Sequence, residues 1–171
     1  MNSMKKLNEM QNEMHKKGVE VENNFIELAE KENYFCQKST KKQDIEEHWD
    51  VQLIKNGKAT YVDVKGQKKV NEDGFTWIEL QNVNGDIGWL YGSKLNAIVF
   101  EREDRFDFVD VHKLRELMEI KIENKNELIF VKPENISEMK YKRYMRSGRK
   151  DIVILTPIKD IDEFIIKTIH K

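Results

Sequence analysis

Four residues combine types and spacing suited to phosphodiester chemistry: Asp50, Asp63, Lys65 and Glu22. Asp63-Val64-Lys65 ends a run, residues 60–65, in which Thr60, Val62 and Val64 alternate with Tyr61, Asp63 and Lys65. A strand has a period of two, so the aspartate and the lysine project from one face and Val64 from the other. A second alternating run, residues 47–54, sets Trp49, Val51 and Leu53 against His48, Asp50 and Gln52. Between the runs stands Asn56-Gly57, the dipeptide best suited to the two-residue type I′ turn of a hairpin. Such a turn pairs Lys55 with Lys58, Leu53 with Thr60, Gln52 with Tyr61, Asp50 with Asp63 and His48 with Lys65. Directly opposed side chains have Cβ atoms roughly 4.5–5.5 Å apart, and like charges there destabilise the pair. A divalent cation between Asp50 and Asp63 would reverse the sign of that interaction; a purely structural salt-bridge cluster around Lys65 is the alternative.

A carboxylate pair of this kind suits Mg²⁺, a hard ion that keeps several waters and completes its octahedron with substrate phosphate. A lysine two residues beyond an aspartate, on the same strand face, can orient or deprotonate the attacking water and offset phosphate charge. Glu22 joins the set from a helix. At 100° per residue, Val21, Phe25, Ile26, Leu28 and Ala29 fill one broad arc, and Glu22 falls inside it beside Ile26 and Ala29. Glu20, Glu27 and Lys31 occupy the opposite face. A carboxylate within an apolar stripe is costly without a partner or a metal; the alternative is a rim glutamate that reaches water.

Asp50, then Asp63-Val64-Lys65, preceded by a helix carrying Glu22, resembles the PD-(D/E)XK nuclease superfamily, which includes restriction endonucleases and archaeal-type Holliday junction resolvases. The likeness covers roughly residues 18–110, and Trp49 stands where the superfamily name expects proline. The resemblance implies that Asp50, Asp63 and Glu22 hold Mg²⁺ (Mn²⁺ as a substitute) and that Lys65 is the catalytic lysine. It also implies a role for Gln81 as the extra polar residue after the Asp-x-Lys strand, with Glu79 on the same face as its competitor. The activity implied is metal-dependent endonucleolytic cleavage of DNA, structure-selective or of a recombination and repair type, often by a homodimer. A second reading keeps the same fold as a non-catalytic nucleic-acid- or protein-binding module, such as a viral regulatory or anti-defence factor.

Composition does not point to a DNA partner by itself. The 171 residues hold 30 Lys+Arg against 31 Asp+Glu, a net charge of −1, so no whole-protein field steers a polyanion. The charges are segregated, however. Lys140, Lys142, Arg143, Arg146, Arg149 and Lys150 gather around Tyr141 and Tyr144 without an acid between them. Lys38, Lys41 and Lys42 form a second cluster, and Lys65, Lys68 and Lys69 a third. Phosphate contacts draw on such groups, which otherwise form solvated faces. Lys68, Lys69, Lys142, Arg143, Arg146 and Arg149 are therefore candidate nucleic-acid contacts, with Trp89 and Tyr91 as stacking residues or core aromatics.

Other classes are excluded or disfavoured. Cys36 is the one cysteine, so no internal disulfide forms. No apolar run approaches the roughly 18–20 residues of a membrane span, and the polar start lacks the apolar core of a signal peptide; no membrane partner and a cytoplasmic setting are expected. The pattern predicts an N-terminal helical arm over residues 1–17, with an apolar stripe of Met4, Leu7, Met10 and Met14 and a break at Gly18. A single domain over residues 18–171 follows. Strands are expected at 34–38, 75–81, 96–101, 106–109 and 152–155, and helices at 111–119 and 134–145. Residues 101–110 read as a solvated strand pair and turn, and Ile161, Phe164, Ile165 and Ile169 as a closing amphipathic helix. The sum is an α/β fold with a central mixed sheet flanked by helices, which the resemblance specifies as a restriction-endonuclease-like core with an N-terminal helical extension.

Overall fold

The computed structural model describes residues 2–123 and 125–171. Its helices are α1 (Asn2–Lys31), α2 (Lys41–Glu47), α3 (Val111–Lys121) and α4 (Ile158–Asp162). Its strands are β1 (Phe35–Lys38), β2 (Val51–Lys55), β3 (Lys58–Lys65), β4 (Phe75–Gln81), β5 (Ala97–Glu101), β6 (Arg105–Asp110), β7 (Arg143–Met145), β8 (Ile152–Pro157) and β9 (Ile165–His170). Six strands form one sheet in the order β1-β2-β3-β5-β6-β9. Its β3–β5 pair is parallel and its other pairs are antiparallel, so the sheet is mixed. A three-stranded antiparallel sheet, β4-β8-β7, forms a separate layer.

The β2–β3 hairpin arises as the turn chemistry dictates. Asn56 and Gly57 both take positive φ, 52° and 75°, as a type I′ turn requires. Lys55 then faces Lys58, Leu53 faces Thr60 and Gln52 faces Tyr61. One face of the large sheet packs under α1, where Phe25 and Ala29 meet Val51, Leu53, Val62, Val64 and Val99. The opposite face carries Ile98 and Phe100 into a core shared with Ile78, Trp89, Leu114 and Ile154. Every residue of β8 is buried, as befits the central strand of the second layer. No described helix is long and apolar enough to cross a membrane.

Several local expectations give way to tertiary structure. Helix α1 runs through Gly18 without a break, because Gly18 is not in the left-handed conformation that ends helices. Its helix-forming neighbours outweigh a glycine penalty of about 1 kcal/mol. The side chains of Met4, Leu7, Met10 and Met14 lie outside the described residues. Residues 41–47 form α2 rather than leading into a strand. Thr40 accepts from the Gln43 amide N–H, and the Gln43 side chain accepts from Thr40 N–H, a capping box. His48 then ends α2 with φ of 55°, so it does not oppose Lys65.

Residues 134–145 hold a short 3-10 turn, Ile136–Met139, and strand β7 in place of a helix. Tyr141 is left-handed (φ 57°), and Tyr144 pairs with Val153 of β8. The closing segment keeps only five helical residues in α4 before Ile165–His170 becomes β9. Its β-branched run, including Ile165, Ile166, Thr168 and Ile169, favours a strand. That strand also covers the edge β6 would otherwise expose, with Ile169 facing Phe106. Residues 101–110 do contain a strand end, a turn and a strand, but residues 106–109 are buried and only Glu103 and Asp104 of the turn are exposed. Phe106 and Asp107 are fully buried, and Asp107 accepts from Arg102, Arg105 and Thr168.

Gly88 fits where no side chain can. A Cβ there would lie 2.6 Å from the Glu79 carbonyl oxygen and 2.7 Å from the Gln81 nitrogen, and Gly88 N–H bonds the Leu80 carbonyl at 2.9 Å. Backbone cannot swing aside as a side chain would. Gly88→Ala should therefore cost about 1–3 kcal/mol, read as a melting temperature lower by about 2–4 °C per kcal/mol for a chain of this size.

Candidate active site

The centre of the site is Asp63, 3% exposed at the core of the large sheet. Strand periodicity sends Val62 and Val64 toward α1 and leaves Asp63 and Lys65 on the other face. Lys65 Nζ donates to Asp63 Oδ1 at 2.9 Å and lies 2.7 Å from Oδ2. Both carboxylate oxygens thus face the same ammonium. Lys65 is half-buried, with the face of Trp89 5.4 Å from its ammonium.

Asp50 arrives by a different route from simple cross-strand pairing. The hairpin ladder holds as far as Val51–Val62. At Asp50 it shifts: the Asp50 N–H bonds the Val62 carbonyl at 2.9 Å, and Asp50 Oδ2 accepts the Val64 N–H at 2.7 Å. The aspartate thus caps the β3 backbone next to Asp63, and its carboxylate disfavours the ionised form of Asp63.

The titration of the group follows from this packing. Burial raises the Asp63 pKa well above its ordinary value, the Lys65 charge opposes that, and Asp50 adds to it. For Lys65, burial disfavours the ammonium, but the Asp63 and Asp50 carboxylates outweigh burial and raise its pKa. In this arrangement Lys65 is a cation and hydrogen-bond donor to Asp63.

Glu22 belongs to the same neighbourhood. Burial raises its pKa first and Asp50 second, while Lys38, 3.3 Å away, and Lys65 pull it down. An acid missed in the sequence, Asp44 of α2, also feels Asp50 and Lys65 after burial. The Thr40-x-x-Gln43 capping signal would have placed it on a helix beside the hairpin.

Beyond Lys65 opens a cavity of about 690 Å³ between the large sheet and the β4-β8-β7 layer. Lys65, Lys68, Lys69, Lys132, Arg146 and Arg149 line it. Lys68, Lys69, Arg146 and Arg149 were expected to contact nucleic acid, and three distant stretches of chain bring them together here with Trp89. Lys142, Arg143 and Tyr91 do not line it; Arg143 donates to the Lys125 carbonyl instead. Gln81 is also elsewhere: its amide donates to the Lys150 carbonyl at 2.7 Å, and a bulge in the β4–β8 pairing separates it from Glu79. Glu79 lines the cavity and lies in the field of Lys65; burial raises its pKa and Lys65 lowers it.

Among the described residues, no group of three or more His, Cys, Asp and Glu side chains is gathered as a metal-ligand set. Mg²⁺ asks for less. One or two carboxylates suffice, with waters and phosphate completing the shell. Asp50 and Asp63 meet that demand with hard oxygen donors, Asp63 at 3% exposure. No family model matches the chain, and no curated protein matches it in sequence.

Proposed function

We propose that this protein is a metal-dependent DNA endonuclease of the PD-(D/E)XK type, built on a restriction-endonuclease-like core. The observation that supports it most strongly is Asp63. A carboxylate buried to 3% exposure beside Asp50, with the Lys65 ammonium against both of its oxygens, leaves the excess negative charge of the Asp50–Asp63 pair for a second cation to offset. Mg²⁺ or Mn²⁺ held by Asp50 and Asp63, with Glu22 near, would polarise a phosphate oxygen and make water a stronger nucleophile.

The chain's own groups have separable tasks. Lys65 holds Asp63 in place and offsets the charge that develops on the phosphate. The Val64 N–H orients Asp50, so that neither carboxylate depends on a flexible arm for position. Hydrolysis adds water across one P–O bond, leaving a phosphate monoester on one fragment and a hydroxyl on the other. Lys68, Lys69 and Arg149, without ion-pair partners among the described residues, are available to neighbouring phosphates. A homodimer would set two such sites on two strands, and a cytoplasmic setting fits the DNA substrate.

The test uses purified protein with linear, supercoiled and four-way-junction DNA, in Mg²⁺, Mn²⁺ or chelator. Metal-dependent cutting should disappear with Lys65→Ala, falling by roughly 10²–10³-fold as for other lost electrostatic stabilisers. Cutting that survives this substitution overturns the site. Absence of cutting on all substrates favours the non-catalytic binding module.

A further inference from the structure

We infer that the cavity beside Lys65 receives an unpaired nucleotide of the nucleic-acid strand being cut, so that the substrate is single-stranded or locally unpaired at the site. This rests on the nuclease reading above and narrows its substrate class. Three features of the cavity carry it.

The first is size. About 690 Å³ lies within the range of pockets that enclose a small ligand, roughly 300–1,000 Å³. It takes one nucleotide, whereas a base pair brings two backbones and both its neighbours in the stack. The second is the walls. Trp77 and Tyr144, half-buried, stand with ring centroids 6.1 Å apart and planes inclined by 31°, and both line the cavity. Flat aromatic faces bind bases without regard to sequence, because every base has a π face. Glu79, opposite Val153 on the same row as Tyr144, adds one carboxylate to the floor for a base edge.

The third is the charge at the margin. Lys68, Lys69, Lys132 and Arg149 line the cavity and make no ion pair among the described residues. Burial, and then the Lys65 charge, lowers the Lys68 pKa, so an arriving phosphate would relieve this cation. Aromatic walls with a cationic margin are the pattern of single-strand recognition. A duplex-binding surface instead presents its cations on a convex or grooved face that tracks two backbones. Lys65 touches both Asp63 and this cavity, so its ammonium stands between the acidic centre and a nucleotide seated here.

The experiment measures binding in chelator, where nothing is cut, using the full chain. The probes are a short oligonucleotide carrying 2-aminopurine, the same sequence as a duplex, and free deoxyadenosine monophosphate. The single strand should bind more tightly than the duplex and quench the protein's tryptophan emission. Trp77→Leu should weaken it about tenfold, the order of one lost base–aromatic stack. Arg149→Ala, an exposed change that leaves the packing intact, should weaken it and flatten the salt dependence by about 0.7 per lost phosphate contact.

Equal affinity for strand and duplex, unaffected by either variant, overturns the inference. Binding of the mononucleotide as tightly as the strand also overturns it, and makes this a free-nucleotide site. Single-strand binding without metal-dependent cutting leaves the cavity standing and removes the nuclease reading. Cutting of intact duplex without single-strand binding does the reverse.

Discussion

Asp63→Asn should raise the melting temperature of the metal-free protein at neutral pH while reducing metal-dependent cleavage by roughly 10²–10³-fold. The two halves have one cause. Burial raises the Asp63 pKa, so the folded protein prefers this carboxyl neutral while the unfolded chain ionises it in the ordinary range. Over the interval between those two values the native state binds more protons, and stability falls as pH rises. Above the raised value the penalty is fully present. An amide of the same shape never incurs it. The advantage of Asp63→Asn should therefore be smallest in the ordinary carboxylate range and grow as pH rises above it, by thermal melting across pH.

Divalent ion provides the counterpart. Millimolar Mg²⁺ should raise the melting temperature of the natural protein, because a ligand that binds only the folded state stabilises it, and should leave Asp63→Asn unmoved. An asparagine variant that melts lower than the natural protein at every pH would mean that the Lys65–Asp63 ion pair is a stabilising element in its own right.

The second large effect lies at the other end of the cavity. Asp151 is fully buried; Arg146 donates to its Oδ2 through Nε and Nη2, and its Oδ1 has no hydrogen bond. Arg146→Met leaves that carboxylate in the interior without its counter-charge. Removing one member of a buried pair costs about 3–5 kcal/mol, and the partial exposure of Arg146, 40%, places the cost toward the lower end. Denaturant midpoints should fall accordingly with an unchanged m value. Adding Asp151→Asn to Arg146→Met should recover most of the loss, since no buried charge then lacks a partner. A double variant no more stable than Arg146→Met would assign the loss to the packing of the arginine stem.

What was legible in the sequence and what was not divides along physical lines. The β2–β3 hairpin was legible because Asn56-Gly57 determines a turn locally and alternation determines the faces. The same logic placed Asp63 and Lys65 side by side. It failed at Asp50, where the ladder shifts and the carboxylate bonds the Val64 N–H, an event that depends on where α2 delivers the chain. The end of the chain was misread for a related reason. Ile161, Phe164, Ile165 and Ile169 fit a helical period, yet the open edge of β6 and a β-branched composition draw residues 165–170 into a strand. The cavity was not legible at all as a shape. Lys68, Arg146 and Trp77 belong to three segments that only the stacking of two sheets brings together.

The parallel contact between β3 and β5, which sets Asp63 beside Ile98 and Lys65 beside Phe100, has a bearing on the order in which the molecule assembles. The β2–β3 hairpin closes over a two-residue turn and can form at once. Its partner β5 returns only after the chain has travelled through residues 66–96, which include β4, a strand that waits for β8. Closing such a loop is slower than closing a hairpin. The hairpin is therefore expected to be in register before β5 arrives beside Asp63, which places the desolvation of this aspartate among the later, non-local steps of folding.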